Sequence, residues 1–128
     1  MKKLILFLLT AMLLVGCGQT NQTQEAVYMN ITAEEAKQIM DSEEGYIILD
    51  TRTQAEYDEG HIPGAINVPN EEIGTAEIPE LPDKSQLILV YCRSGRRSKE
   101  ASEKLVKLGY TNIVEFGGIL DWKGEIEK

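Results

Sequence analysis

The sequence predicts an α/β domain built around a mainly parallel sheet. Short apolar runs alternate with helical patterns along the chain, which is typical of βα units. Residues 46–49 form a continuous apolar run, as expected for a strand that is buried on both faces. Two capping boxes, Thr32-x-x-Glu35 and Thr53-x-x-Glu56, mark the starts of helices. The 128 residues are enough for one such domain with an apolar core of its own.

The order of elements follows from these patterns and from the turn residues between them. Before residue 69 we expect strands at 28–31, 46–49 and 65–68, with a helix after each capping box. Prolines leave room for only a short helix within residues 69–85. Beyond residue 85 we expect a strand at 86–91 and a helix from about 98 to 108 that is capped by Gly109. A strand at 113–116, the Gly117-Gly118 turn and a short helix that contains Trp122 follow.

Residues 1–16 are expected to be a bacterial lipoprotein signal peptide. Two lysines precede an apolar run from Leu4 to Val15, which is too short for a comfortable membrane span. The sequence Leu14-Val15-Gly16-Cys17 resembles the lipobox, which implies cleavage before Cys17 and lipid on its thiol and new amino terminus. An ordinary secretory signal with an incidental cysteine is the alternative.

Residues 17–26 contain the lipidated cysteine and a polar segment that we interpret as a flexible tether. The rest of the chain, residues 27–128, is expected to be one domain. It would lie in the cell envelope, anchored by lipid on the extracytoplasmic side of a bacterial membrane. Which membrane of the envelope carries it stays open.

The charge of the chain excludes two classes of partner. The net charge is −8, from 13 basic and 21 acidic residues. Lys2 and Lys3 lie in the predicted leader, so the mature chain carries 11 basic residues against the same 21 acidic ones and a net charge of −10. This balance argues against nucleic-acid binding and against docking on an anionic membrane through a basic patch.

Cys92 is the candidate reactive residue. Of the two cysteines, the lipobox uses Cys17, so Cys92 has no disulfide partner in an exported protein. It follows a central strand, at the edge of the sheet where ligands bind, and its loop leads into a helix. Loop N–H groups and the helix dipole stabilise an anion, so we expect a lowered pKa for this thiol. A buried, inert cysteine is the alternative.

Several segments around this cysteine occur in a recognisable order. They are Asp50-Thr51-Arg52, Glu56-Tyr57, Gly60-His61-Ile62-Pro63-Gly64-Ala65, Tyr91-Cys92-Arg93-Ser94-Gly95-Arg96-Arg97-Ser98 and Gly117-Gly118 with Trp122. Together they resemble the rhodanese homology domain, from about residue 28 to residue 122. The resemblance implies a rhodanese-like α/β fold for residues 27–128, with a central five-stranded parallel sheet flanked by helices on both faces.

The resemblance also implies a sulfurtransferase mechanism in two steps. The Cys92 thiolate attacks the outer sulfur of a small anionic donor such as thiosulfate, which leaves a persulfide. A thiophilic acceptor (cyanide, a thiol or a protein) then removes that sulfur. No metal and no organic cofactor is implied.

The resemblance places the other site residues around Cys92. Those expected to bind the donor are Arg93, Ser94, Gly95, Arg96 and Arg97. Three arginines so close together form a local positive site on an acidic protein, although at least one is expected to point into solvent. Asp50 and Arg52, at the end of the adjacent strand, are expected to support the loop. We interpret His61 as part of a structural turn and not as a catalytic base, and Trp122 with Gly117-Gly118 as packing and turn residues.

Three other functions remain open at this point. A related phosphatase or arsenate reductase would need an arginine six positions after the cysteine, where this chain has Ser98; the loop is one residue too short for a phosphate. A redox sensor or partner-binding module would use Cys92 as an exposed, easily oxidised thiol. A sulfur carrier would pass the persulfide to a partner protein with little turnover on small molecules.

Overall fold

The structure is a computed structural model that describes residues 27–74 and 76–128. The predicted signal peptide, the lipidated Cys17 and the tether lie outside the described residues, so those assignments stay predictions.

Five strands form one sheet. They are β1 (Met29–Asn30), β2 (Ile47–Asp50), β3 (Ile66–Asn67), β4 (Ile88–Cys92) and β5 (Ile113–Gly118). Their order in the sheet is β1-β5-β4-β2-β3, and every neighbouring pair is parallel. The five-stranded parallel sheet is therefore confirmed. Strand β4, which carries Cys92, lies at its centre and has a strand on either side.

Three α-helices cover the sheet. They are α1 (Ala33–Ser42), α2 (Gln54–Glu59) and α3 (Arg96–Lys107), and two short 3-10 turns lie at Asn70–Glu72 and Ile119–Asp121. Both predicted capping boxes are present. In α1, Glu35 N–H donates to Thr32 Oγ1 over 3.0 Å, and Thr32 N–H donates to the Glu35 carboxylate over 2.9 Å. These reciprocal bonds satisfy N–H groups that the first turn of a helix leaves free.

Alternating residues of the strands build a core on each face of the sheet. On one face Leu49, Ile88 and Val90 pack with α3, through its buried residues Ala101 and Leu105. On the other, a second cluster of strand and helix residues packs under α1 and α2: Ala36, Ile48, Ile62, Ala65, Leu89, Tyr91, Val114 and Phe116. Because side chains in a strand point to opposite faces in turn, each central strand contributes to both cores. Helices on both faces are thereby confirmed.

Several boundaries differ from the prediction. Helix α3 begins at Arg96, two residues earlier than expected, and β4 extends through Cys92. Strand β5 continues through Gly117 and Gly118, which were expected to form a turn after it. Trp122 follows the 3-10 turn that was expected to hold it.

The other end of α3 closes as the glycine after it predicts. Gly109 has φ +102 and its N–H donates to Val106 O, while Tyr110 N–H reaches back to Leu105 O. These two bonds are the Schellman motif that ends many helices.

Two searches of the described residues give negative results. None of the helices within residues 27–74 and 76–128 has the length and hydropathy needed to cross a membrane. The same residues contain no group of three or more His, Cys, Asp or Glu side chains placed to hold a metal ion.

Candidate active site

Cys92 is the last residue of the central strand, and its thiol faces the start of α3. The residue is 1% exposed. Gly95 N–H donates to Cys92 Sγ over 3.0 Å. A backbone donor at this distance favours a negative charge on the sulfur. The redox-sensor alternative assumed an exposed thiol, and that assumption is wrong, because the end of β4 lies inside the sheet under the loop that follows.

That loop is shorter than the sequence suggested. It spans only residues 93–95, because Arg96 and Arg97 already belong to the first turn of α3. Gly95 has φ +116, a left-handed conformation that glycine adopts without strain, and it is the N-cap of the helix. Gly95 has no side chain with which to cap the first turn. The N–H groups at this end, together with the helix dipole, therefore form an anion-binding environment next to Cys92.

The end of β5 packs tightly against the same loop. A Cβ on Gly118 would clash with the carbonyl of Arg93 and with Ser94. Across the same contact, a Cβ on Gly95 would lie 3.6 Å from the Gly117 Cα. The two glycines of β5 therefore allow a backbone-to-backbone approach that fixes the path of residues 93–95.

The three arginines of the predicted donor site are not equivalent. Arg97 donates from both terminal nitrogens to Glu56 of α2, over 2.7 and 3.0 Å. This bidentate pair, together with hydrogen bonds from Thr53, holds the pKa of Glu56 at about 2. The hydrogen bond from Glu56 likewise raises the pKa of Arg97, and the charges of Glu56 and Cys92 add to that effect. Arg97 is thus positioned near Cys92 but is already paired.

Arg93 and Arg96 are directed differently from Arg97. The side chain of Arg96 is 76% exposed and pairs with Glu100 one turn along α3, over 3.2 Å. Arg93 and Ser94 are both exposed in the loop. Arg93 and Arg96 therefore lie at the surface around the loop, where they can attract an anion.

Asp50 and Arg52 form the buried ion pair that the sequence suggested as one way to support the loop. Arg52 Nη2 lies 2.6 Å from Asp50 Oδ2, and both side chains are at most 7% exposed. Burial disfavours the charge of Arg52, but the hydrogen bonds and charge of Asp50 outweigh it, so the pKa of Arg52 is raised. Arg52 also donates to Gly60 O over 2.7 Å.

The pair acts on the residue before Cys92 and not on residues 93–97. Tyr91 donates its hydroxyl to Asp50 Oδ2 over 2.7 Å, and burial with the nearby negative charge raises the pKa of Tyr91 well above its usual range. The hydroxyl of Thr51 donates to Tyr91 O over 2.9 Å. Asp50 and Thr51 therefore fix the end of β4.

Two further buried polar residues lie on the other side of the loop. Ser98, in the first turn of α3, and Glu115, in β5, are both 0% exposed. The Ser98 hydroxyl donates to Glu115 Oε2 and lies 3.0 Å from Gly95 O. They connect the helix start to the neighbouring strand.

His61 lies apart from this site. Its ring stacks on Tyr57 with centroids 3.7 Å apart, and Nδ1 lies 2.8 Å from Tyr57 O. Nε2 lies 3.3 Å from a carboxylate oxygen of Glu127. Both ring nitrogens are occupied by these contacts, which agrees with a structural turn and gives no role as a base for Cys92.

A groove of about 770 Å³ opens beside the loop. Its walls include Ser94, Gly95 and Gly117 on the active-site side and Trp122 on the other. Trp122 also packs against Phe116, with ring centroids 6.2 Å apart. The tryptophan thus has the packing role that was expected, and it also faces a groove that the sequence did not indicate.

Sequence reasoning missed the site roles of Glu56, Ser98 and Glu115. Glu56 was assigned to a capping box and to a segment that resembles the family, and nothing local marks its pairing with Arg97. Ser98 was noted as the end of the family-like segment, as the expected helix start and as the residue at the phosphatase arginine position, but not as a residue that supports the site. Glu115 had a detectable signal, since it is an acidic residue inside an apolar strand where an aliphatic residue is expected.

Comparison with known proteins agrees with this fold. The family model described as rhodanese-like domain matches residues 32–125. Thiosulfate sulfurtransferase PspE of Escherichia coli is 38% identical over 73 residues, which are 57% of this chain and 70% of that protein. A sulfurtransferase of Allochromatium vinosum is 36% identical over 93 residues, 72% of this chain and 85% of that one.

A solved structure agrees as well. A rhodanese with anions from E. coli superposes with a TM-score of 0.60 at 35% identity, and the match covers 65% of this chain and 98% of that one. The chain belongs to the rhodanese-like domain family. Its relatives support a sulfurtransferase-type function in general.

Proposed function

We propose that this protein is a sulfurtransferase that carries a sulfane sulfur on Cys92 as a persulfide. One observation carries the proposal: Cys92 Sγ accepts a hydrogen bond of 3.0 Å from the Gly95 N–H at the start of α3. Thiosulfate is the proposed donor, because the named activity of the E. coli relative is thiosulfate sulfurtransferase.

In the first step the Cys92 thiolate attacks the outer sulfur of thiosulfate. A new S–S bond forms to Sγ, the bond between the two sulfurs of thiosulfate breaks, and sulfite leaves with the electron pair. In the second step an acceptor such as cyanide attacks the outer persulfide sulfur, forms thiocyanate and returns the Cys92 thiolate. Negative charge stays on sulfur throughout, so the N–H groups at the helix start stabilise every state of the cycle.

The proposed role of the arginines is to attract and orient the donor. Arg93 and Arg96 are exposed around the loop, and Arg97, which is influenced by the charge of Cys92, is held by Glu56. Thiosulfate is a dianion, and it would meet this local positive charge on an otherwise acidic protein. Ser94 and Gly95 would contribute backbone donors.

The test is persulfide formation followed by turnover. The full chain is incubated with thiosulfate, and one portion is digested so that the mass of the Cys92 peptide can be measured. Cyanide is added to a second, undigested portion, and thiocyanate is measured. We expect the Cys92 peptide to gain the mass of one sulfur atom and thiocyanate to accumulate. Cys92→Ser should abolish both.

Other outcomes point to other functions. A persulfide without turnover would identify a sulfur carrier, and no added sulfur on Cys92 would refute the proposal and favour a binding or redox role. Hydrolysis of a phosphate ester without any reaction with thiosulfate would favour the phosphatase alternative.

We also propose that the protein is anchored in the cell envelope by lipid on Cys17. The support is the lipobox-like sequence ahead of a polar tether. Expression in a bacterium, followed by fractionation and mass analysis of the amino terminus, tests it. The parent is expected in the membrane fraction with an acylated Cys17, and Cys17→Ser is expected to lose the anchor. An unmodified Cys17 in the parent would contradict the proposal.

A further inference from the structure

Glu115 is a buried carboxyl that the proposed reaction does not use. It is 0% exposed in the middle of β5, on the same face of the strand as Ile113, which packs toward α3. No ion pair in the described part of the chain includes it. A carboxyl in such a place costs free energy that an aliphatic residue would not cost.

Two of the three hydrogen bonds of Glu115 lead to the ends of the elements around Cys92, and the third leads to Asn30 of β1. Oε2 accepts from Gly117 N–H over 2.9 Å and from the Ser98 hydroxyl, and Oε1 accepts from Asn30 Nδ2. Gly117 belongs to the segment of β5 that packs against Gly95, and Ser98 lies in the first turn of α3. Glu115 therefore joins the strand end and the helix start.

Ser98 carries this connection to the residue that contacts the thiol. Its Oγ is 3.0 Å from Gly95 O, and the N–H of the same glycine is the donor to Cys92 Sγ. Gly95 has no side chain whose contacts could stabilise its left-handed conformation at φ +116. Gly95 is in contact with Ser98 on one side and with Gly117 on the other.

We propose that Glu115 is a positioning residue for Cys92, acting through Ser98 and Gly117 to hold the Gly95 N–H against the sulfur. The proposal rests on Cys92 being the reactive thiol of the proposed function. It does not depend on the identity of the sulfur donor. A purely structural role is the competing explanation, and the two differ in what an apolar replacement does.

Four substitutions separate positioning from stability. Glu115→Leu fills the space with an apolar side chain that suits this face of β5, so the fold is expected to persist. Glu115→Gln keeps an oxygen for Ser98 and Gly117, while its amide can face a rotated Asn30. Ser98→Ala removes the connecting hydroxyl. Ser102→Ala is the matched control, since Ser102 is also 0% exposed in α3 and its hydroxyl has no hydrogen-bond partner among the residues that the structure describes.

The readout is the pH at which alkylation of Cys92 by iodoacetamide reaches half of its maximal rate, measured on the full chain by peptide mass spectrometry. This midpoint reports ionisation of the thiol and is separate from access to it. We expect Glu115→Leu and Ser98→Ala to raise the midpoint by about half to one pH unit, which is about three- to tenfold less thiolate at neutral pH. Glu115→Gln and Ser102→Ala should leave it at the parent value.

Unchanged midpoints in both Glu115→Leu and Ser98→Ala would overturn the proposal, as would equal shifts in all four variants. If Glu115→Leu does not fold, the test is the comparison of the alkylation midpoint of Ser98→Ala with that of Ser102→Ala. The proposed function fails separately: a parent protein that forms no persulfide with thiosulfate would refute the sulfurtransferase, whatever the alkylation midpoints are.

Discussion

At the scale of single residues, the carboxylate of Glu56 makes two separate contacts. It accepts the Thr53 N–H over 3.1 Å, which completes the capping box of α2, and it accepts both terminal nitrogens of Arg97. The first contact is local and the second joins residues 41 positions apart. Through this side chain the start of α2 is tied to the helix that begins beside Cys92.

The Glu56–Arg97 pair predicts a contribution to stability that depends on pH. The pKa of Glu56 is about 2 in the folded protein, below the ordinary value of 4.5. A carboxyl whose pKa is lower in the folded than in the unfolded protein stabilises the fold fully at pH values above its unfolded pKa. That stabilisation is lost as the pH falls toward the folded pKa of about 2. We expect Glu56→Gln to reduce the fall in unfolding free energy between pH 7 and pH 2.5 by about 1 kcal/mol, after allowance for partial exposure.

Urea unfolding at the two pH values measures this difference. Glutamine at the same position keeps the capping box, so the helix start is preserved. An equal loss of stability in parent and variant would show that the pair contributes nothing that depends on ionisation.

At the scale of elements, the site depends on how closely the end of β5 approaches the loop after β4. Gly118 has φ −138, which any residue can adopt, so its importance is not a matter of backbone conformation. The contact itself excludes a side chain, because a Cβ there would meet the Arg93 carbonyl. Two strands of the sheet thereby define the path of three residues.

Gly118→Ala is therefore expected to displace the loop and to lower thiocyanate production from thiosulfate and cyanide by at least about tenfold, since small misplacements of reacting groups are costly. Gly74→Ala is the control, because a Cβ at Gly74 meets nothing within 4 Å. Steady-state turnover and thermal unfolding are measured on both variants. Parent-like turnover in Gly118→Ala would mean that the loop tolerates a different path.

The sequence predicted those elements whose signals are local. Both capping boxes and the apolar run of β2 depend on neighbours within a few residues, and all appear in the structure. The start of α3 was placed two residues late, because its N-cap is a glycine without a side chain to mark it. The predicted loop was two residues too long for the same reason.

Only those residues of the candidate site that belong to sequence motifs could be predicted. Cys92 and the Asp50–Arg52 pair lie within segments that resemble the family. The contacts of Glu56 with Arg97 and of Glu115 with Ser98 join residues 41 and 17 positions apart. Such contacts exist only after the sheet has formed, so no local pattern reports them.

At the scale of the whole molecule, the last residues of the chain return to the turn before β3. His61 N–H donates to Glu127 O and Glu127 N–H donates to His61 O, each over 2.9 Å. Gly64 N–H adds a bond of 3.1 Å to the Glu127 carboxylate. This pairing connects the carboxyl-terminal segment to the face of the sheet that α1 and α2 cover.

Removal of residues 126–128 is expected to lower the free energy of unfolding by about 1–3 kcal/mol, since three hydrogen bonds are lost. The melting temperature should fall by about 5–10 °C. Deletion of Lys128 alone is the control, because it keeps Glu127. Thermal unfolding measures both, and a truncated protein as stable as the control would refute a contribution from this pairing.

The burial of Cys92 has a consequence for what the thiol meets in its surroundings. With 1% of the residue exposed, a bulky disulfide or oxidant cannot bring its reacting atom to Sγ without displacing the surrounding residues. A compact ion that ends in a single sulfur faces a much smaller obstacle. The burial of Cys92 would therefore select reactants by size, so that large oxidants react with the thiol more slowly than small sulfur compounds do.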